Sequence, residues 1–437
     1  MIKRLRKVIV PLVLAAAIVP LGGCELTTSV EDLLTLPQLS LEYTGLSRQI
    51  ESLIAEGYEY ASPTNGQNIQ SVQMVDLDGD GSEEAVAFFR KSVDEKPLKI
   101  VVFRPEEETY NRLCTIESSG SAVESVSYQD LNGDGVKELI VGWKISADVQ
   151  TVAVYEVSSQ SITLMQSSYI SFVVQEPGTA GPEEKAGLVV LRSNAEGNTK
   201  AELYQWENDA LAAISGCELS SSAAELNHGG LVSGKLDDGT DALFVTGVNE
   251  QNVAVTDILA YTPNGLNNVA GKGKTGHSDV SYPFRQLLPQ DIDGDGAIEL
   301  PMLHEASGDK QMDGVVSWFS FGSNGEMFWS MDSYHSQTSG WYFAIPDAWH
   351  ERVTSTVLDS GSVESQVLLC LDGDPVAALY TISGENRENR AARGDRFVLK
   401  QQTAVIYAGE LLSESGAGEL DEAAMRERFH PIVSLWN

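Results

Sequence analysis

The sequence predicts a mainly β protein: a β-propeller of about five to seven blades followed by a small C-terminal α+β domain. Three observations predict it. A nine-residue acidic pattern occurs three times, and each copy runs directly into an apolar, β-prone segment. The copies fall at multiples of about 53 residues, which is room for roughly four short strands per unit.

The first copy is Asp76-Leu-Asp78-Gly-Asp80-Gly81-Ser-Glu-Glu84, leading into Ala85-Val-Ala-Phe-Phe89. The second is Asp130-Leu-Asn132-Gly-Asp134-Gly135-Val-Lys-Glu138, leading into Leu139-Ile-Val-Gly142. The third is Asp291-Ile-Asp293-Gly-Asp295-Gly296-Ala-Ile-Glu299, leading into Leu300-Pro-Met-Leu303. Asp76 and Asp130 are 54 residues apart, and Asp130 and Asp291 are 161 apart, about three periods. Two degenerate copies fill the gap. One surrounds Gly181-Pro-Glu183-Glu184 before Gly187-Leu-Val-Val-Leu191; the other is Lys235-Leu-Asp237-Asp238-Gly-Thr-Asp241 before Ala242-Leu-Phe-Val245. Segments such as Lys99-Ile-Val-Val-Phe103 and Thr151-Val-Ala-Val-Tyr155 supply the further strands of each unit. One such unit cannot bury both faces of its sheet, so units are expected to stack in a ring.

The acidic loops point to calcium, a hard cation that takes six to eight oxygen ligands in flexible geometry. Positions 1, 3, 5 and 9 supply side-chain oxygens, and the backbone carbonyl of position 7 adds one. The expected ligands are Asp76, Asp78, Asp80, Ser82 and Glu84; Asp130, Asn132, Asp134, Val136 and Glu138; and Asp291, Asp293, Asp295, Ala297 and Glu299. Gly at position 6 permits the sharp turn. An EF-hand needs a bidentate Glu at position 12 and flanking helices; Ala87, Val141 and Met302 stand there, inside expected strands. Without a cation, such close carboxylates repel one another. The degenerate copies lack ligands and are expected to hold no ion.

These units resemble the calcium-loop repeats of the integrin-alpha-like propeller family, known as FG-GAP or VCBS repeats, over roughly residues 60 to 330. The Phe-Gly and Gly-Ala-Pro elements that name that family are missing. The resemblance implies structural calcium and a role in adhesion or binding rather than catalysis.

Basic Lys3, Arg4, Arg6 and Lys7 precede an apolar run from Val8 to Leu21. That run of about 14 residues falls short of the roughly 20 a membrane-spanning helix needs, and reads as a signal peptide. Leu21-Gly22-Gly23-Cys24 resembles the bacterial lipobox, which implies lipidation of Cys24 and an anchor on the extracytoplasmic face of the cell membrane. The expected organisation is a lipoprotein signal peptide at 1–24, a tether and helix at 25–60, the propeller at 61–337 and the α+β domain at 338–437. Leu46, Ile50, Leu53 and Ile54 mark the helix, ending at Gly57. In the last domain, strands are expected at 366–370, 377–382, 396–399 and 404–408, and a helix at 421–429. Its opening, Phe343-x-x-Pro346-x-x-Trp349, resembles a C-terminal module common in extracellular Firmicute proteins, where such a stretch begins a curved sheet. The alternative is that these strands form the last one or two blades.

Net charge is −34, which disfavours nucleic acid and anionic lipid as partners. Cys114, Cys217 and Cys370 are odd in number and widely spaced, without a metal or disulfide pattern, and read as core thiols. His228, His277, His304, His335, His350 and His430 show no ligand spacing. Arg393-Gly-Asp395 is an integrin-type tripeptide, more often fortuitous than adhesive. Aromatics crowd residues 318 to 349, as core packing or as a binding surface. No nucleophile elbow or phosphate loop occurs. The expected function is noncatalytic binding of a protein or glycan at the cell surface. The alternatives are an extracellular glycan-active hydrolase or lyase, and an envelope assembly scaffold.

Overall fold

The computed structural model describes residues 43–106, 109–175, 186–194, 196–227, 229–271, 281–282, 287–303, 313–359, 363–412 and 420–432. The signal peptide, Cys24, His228, His277, His304 and the degenerate copy around Gly181 lie outside them. The described residues fall into two compact units: 43–56 together with 105–106 and 109–111, and all the rest. In the first, helix α1 (Thr44–Ala55) buries Leu46, Ile50 and Leu53, the stripe its sequence spacing requires. Among the described residues no helix is long and apolar enough to cross a membrane.

Six antiparallel sheets form largely in chain order, all within the second unit except for residues 105–106 and 109–111 of the first sheet. The first has β1 (Glu59–Tyr60) and β2 (Val72–Val75) both paired to β3 (Glu84–Arg90), then β4 (Leu98–Glu106) and β5 (Thr109–Ser118). The second runs β6 (Ala122–Gln129), β7 (Glu138–Lys144), β8 (Gln150–Val157), β9 (Ser161–Ser168). The third runs β10 (Ser171–Gln175), β11 (Gly187–Ser193), β12 (Thr199–Glu207), β13 (Ala210–Glu218). A one-turn helix α2 (Ala223–Leu226) follows, closed by a capping box between Ser222 and Glu225. The fourth sheet runs β14 (Gly230–Lys235), β15 (Asp241–Val248), β16 (Ala254–Thr262), β17 (Gly265–Asn268), with β18 (Ser281–Tyr282) also on β16.

The fifth sheet is β19 (Leu300–Leu303), β20 (Asp313–Phe321), β21 (Met327–Ser336) and β22 (Trp341–Ala344). The sixth contains β23 (Val353–Asp359), β24 (Glu364–Leu371), β25 (Asp374–Ser383), β26 (Phe397–Gln401) and β27 (Val405–Leu411), with β27 inserted between β25 and β26. Helix α3 (Arg387–Ala391) lies between β25 and β26, and α4 (Glu422–Arg428) leads into β28 (Phe429–Pro431), which pairs with β22 of the fifth sheet.

The second strands are continuously apolar because neighbouring sheets cover both of their faces. In β7, Val141 and Trp143 pack with Val86 and Phe88 of the first sheet, while Ile140 packs with Leu188 and Val190 of the third. In β11, Val189 and Leu191 turn instead to Leu243 and Val245 of the fourth sheet. Phe244 and Ile258 then meet Ile298, Leu300 and Phe321, next to and within the fifth. Each such strand is covered on both faces, so polar alternation disappears. Phe244 is fully buried at the fourth-to-fifth boundary. Phe244→Ala is expected to cost about 3–5 kcal/mol in unfolding free energy, read by denaturant titration; a loss under ~1 kcal/mol would contradict this packing.

The boundary expected after residue 337 needs correction. It falls in the turn between β21 and β22, inside one sheet, where Ser336 is paired with Trp341. Four strands complete the meander, and the fourth is Trp341–Ala344. The crowded aromatics explain why the pattern changes there. Tyr334, Trp341 and Phe343 pack against Val367, Leu369 and Leu379 of the sixth sheet, and Trp341 Nε1 donates to Thr381 Oγ1 at 2.9 Å. Most of that cluster is therefore core.

Candidate metal-binding loops

The three acidic loops occupy equivalent places: β2 to β3, β6 to β7, and the approach to β19. Their internal hydrogen bonding is the same. Asp76, Asp130 and Asp291 each accept two backbone N–H groups, one per carboxylate oxygen, from the glycines at positions 4 and 6, at 2.7 to 3.2 Å. Those glycines, Gly79 and Gly81 in the first loop, have φ of +73° and +90°, a region side chains other than glycine rarely adopt. The position 3 side chains of Asp78, Asn132 and Asp293 accept from the N–H of Asp80, Asp134 and Asp295. Asp80, Asp134 and Asp295 in turn accept from the N–H of Ser82, Val136 and Ala297 at 2.7 to 2.8 Å.

Glu84, Glu138 and Glu299 close each loop. They are essentially buried, and each accepts the N–H of the position 2 residue, Leu77, Leu131 or Ile292, at 2.7 to 3.0 Å. Burial pushes Glu138 and Glu299 up to about 7, and the neighbouring aspartates add to it. Glu84 is raised by burial too, with Arg104 opposing. One carboxylate oxygen from each of Asp76, Asp78 and Glu84 lies within 4.8 Å of the others, and the same holds for Asp291, Asp293 and Asp295.

The donor set fits a hard divalent cation. The decisive atom is Glu299 Oε1, buried and without a hydrogen-bond partner. A bare carboxylate oxygen in that position costs free energy unless a cation or proton meets it. The second loop carries one negative charge fewer, because Asn132 stands where the others have aspartate; its amide donates to Asp134 at 3.0 Å.

The first loop departs from the others through a residue that sequence spacing does not reveal. Arg104 on β4 pairs with Asp78 at 2.6 Å and with Glu84 at 3.3 Å. Nothing local signals it, since β4 lies across a hairpin and meets the loop only through strand pairing. Its guanidinium competes with an ion for the same oxygens. Arg104→Ala is therefore expected to raise the calcium affinity of the first loop several-fold, measured by isothermal titration; an unchanged or lowered affinity would exclude the competition.

The loops also connect sheets. Lys137 N–H at position 8 of the second loop donates to Leu77 O of the first at 2.7 Å, and Ile298 N–H at position 8 of the third donates to Lys235 O at 2.9 Å. In the degenerate copy, Lys235 Nζ bonds Asp241 at 2.9 Å, and Asp238 is held by the N–H and hydroxyl of Ser323. Protein donors there meet the acids.

The remaining sequence candidates are scattered. His335 is buried between Trp318 and Tyr342, His430 stacks on Tyr342, and His350 Nδ1 lies 2.8 Å from Asp332. Cys114, Cys217 and Cys370 are unpaired thiols. Burial pushes Cys114 up to about 11 and Cys217 up to about 12. Arg393, Gly394 and Asp395 are exposed beyond α3.

Comparison with known proteins adds little. No family model and no curated protein matches this chain. Among solved structures, an exo-beta-1,3-galactanase from Phanerochaete chrysosporium with galactose is similar at TM-score 0.25 and 10% identity, covering 78% of this chain and 81% of that one. A hypothetical protein from Leishmania major is similar at TM-score 0.23 and 10% identity, covering 64% of this chain and 91% of that one.

Proposed function

We propose that this chain is a noncatalytic, calcium-stabilised β-propeller of the FG-GAP/VCBS kind, with six blades, that presents a protein- or glycan-binding surface outside the cell. The observation that carries it is the repeated loop: three copies with one hydrogen-bond plan, ending in a buried glutamate whose second oxygen in the third copy has no protein partner. Calcium bound by Asp291, Asp293, Asp295 and Glu299, and by the matching residues of the other loops, would fix position 8 against the preceding sheet. The role of the ion is structural, since these loops connect strands and hold the edges of the sheets together. Thermal unfolding in calcium and in chelator tests this directly.

Attachment to the membrane is the second part of the proposal. A lipid-modified Cys24 would tether the chain to the outer face of the cytoplasmic membrane, and an acidic body of this charge would remain in water. In a bacterial host expressing the full chain, wild type is expected in the detergent phase after phase partition. The Cys24→Ala chain should move to the aqueous phase once its leader is cleaved, and should take up no labelled fatty acid where wild type does. Equal fatty-acid labelling of both chains would rule out the anchor.

A further inference from the structure

Strands β6 and β10, with the 65–68 segment between β1 and β2 and the end of helix α2, line an open cleft of about 800 Å³ that includes none of the acidic loops. It is within the size range of small-ligand sites. Among its lining residues is Glu124, the residue that the β6–β7 register skips: Val123 pairs with Trp143 and Ser125 with Gly142, leaving Glu124 as a bulge. Bulges re-aim a side chain and are frequent beside binding sites.

The bulge is held from outside. Thr64 N–H and Asn65 N–H both donate to Glu124 O, at 3.1 and 2.7 Å. Its carboxylate accepts from Asn65 Nδ2 at 3.1 Å and from the Tyr169 hydroxyl at 3.4 Å. Opposite the bulge, Gly142 leaves room for that phenol: a Cβ there would stand 2.8 Å from Tyr169 Oη and 3.2 Å from the Phe172 ring. Tyr169 and Phe172 meet edge to face, with centroids 5.0 Å apart. Gln67, Gln150 and Asn227 complete a lining rich in neutral amides, and no Lys or Arg is among the lining residues.

We propose that this pocket binds an uncharged carbohydrate. Amides and one carboxylate offer both donors and acceptors for sugar hydroxyls. An aromatic pair supplies apolar surface for the face of a sugar ring. Glu124 without a basic neighbour, on a chain of charge −34, disfavours anionic glycans. The assignment names the ligand class for the binding role proposed above and rests on it.

The test is titration of the calcium-loaded protein with neutral tri- to hexasaccharides of glucose, galactose, mannose and xylose, and with oligogalacturonate, by calorimetry. At least one neutral series should bind, and oligogalacturonate should not. Glu124→Gln and Tyr169→Phe should each weaken binding at least tenfold while the melting midpoint and its calcium response stay as in wild type. Absence of binding by every neutral sugar, tighter binding of oligogalacturonate, or undiminished binding by both variants overturns the proposal. Measuring the calcium shift on the same samples separates failure of the pocket from failure of the propeller assignment.

Discussion

Removing calcium should lower the melting midpoint by at least about 5 °C. An ion held at a hundredfold excess over its Kd stabilises by about 2.7 kcal/mol per site, and a chain of this size converts each kcal/mol into a shift of roughly 2 °C. Loops two and three dominate, because Arg104 already neutralises part of loop one. The increment should also depend on pH. Glu138 and Glu299 have folded pKa values raised to about 7, above the ordinary carboxylate value of about 4.3. A raised acid favours the fold fully below its unfolded pKa, and that contribution disappears as pH climbs through the folded value. Without an ion, the fold is therefore penalised near pH 8 by two buried negative charges. A cation removes that penalty, and it must displace protons to bind at lower pH. The calcium-dependent rise should be larger at pH 8 than at pH 5. Scanning calorimetry at both pH values, with and without chelator, reads it. Coincident midpoints in calcium and chelator at pH 8 would eliminate the structural ion.

Acid should weaken the protein through His335, and His335→Phe should remove that weakness. Neither ring nitrogen of His335 has a hydrogen-bond partner, and burial pushes its pKa down to about 3 from the usual 6.5. The sign follows from linkage: between about pH 6.5 and 3 the unfolded chain binds a proton that the folded chain refuses, so stability falls as pH falls through that window. The full difference, reached only below about pH 3, corresponds to about 5 kcal/mol at 1.36 kcal/mol per pH unit. Phenylalanine keeps a ring between Trp318 and Tyr342 without a titrating group. Denaturant titrations at pH 7 and pH 4 should show the variant losing several kcal/mol less than wild type. Parallel losses would mean that other groups govern the acid response.

Much of the candidate site was legible in sequence because it is local. Nine consecutive residues carry the acidic side chains, the glycines and the closing glutamate, and the turn forms from bonds within those residues. The strands after each loop were equally legible, since β3, β7 and β19 begin at or directly after the ninth position. Helix α1 and four strands of the last sheet, β24 to β27, followed from their apolar residues; β23 (Val353–Asp359) did not.

Arg104, Glu124 and the end of the fifth sheet were not legible, and for one reason. Arg104 reaches its loop through strand pairing, Glu124 gains its place from a slipped register, and β28 returns across about 85 residues to pair with β22. Periodicity reports which residues are apolar; it does not report which strand lies beside which. The sequence by itself determined a mainly β chain of repeated units with acidic turns, because propensity and short-range hydrogen bonds decide those. Only the tertiary structure decided that Arg104 meets the first loop, where the sheet boundary falls and which side chains line one cleft, because long-range pairing and packing decide these.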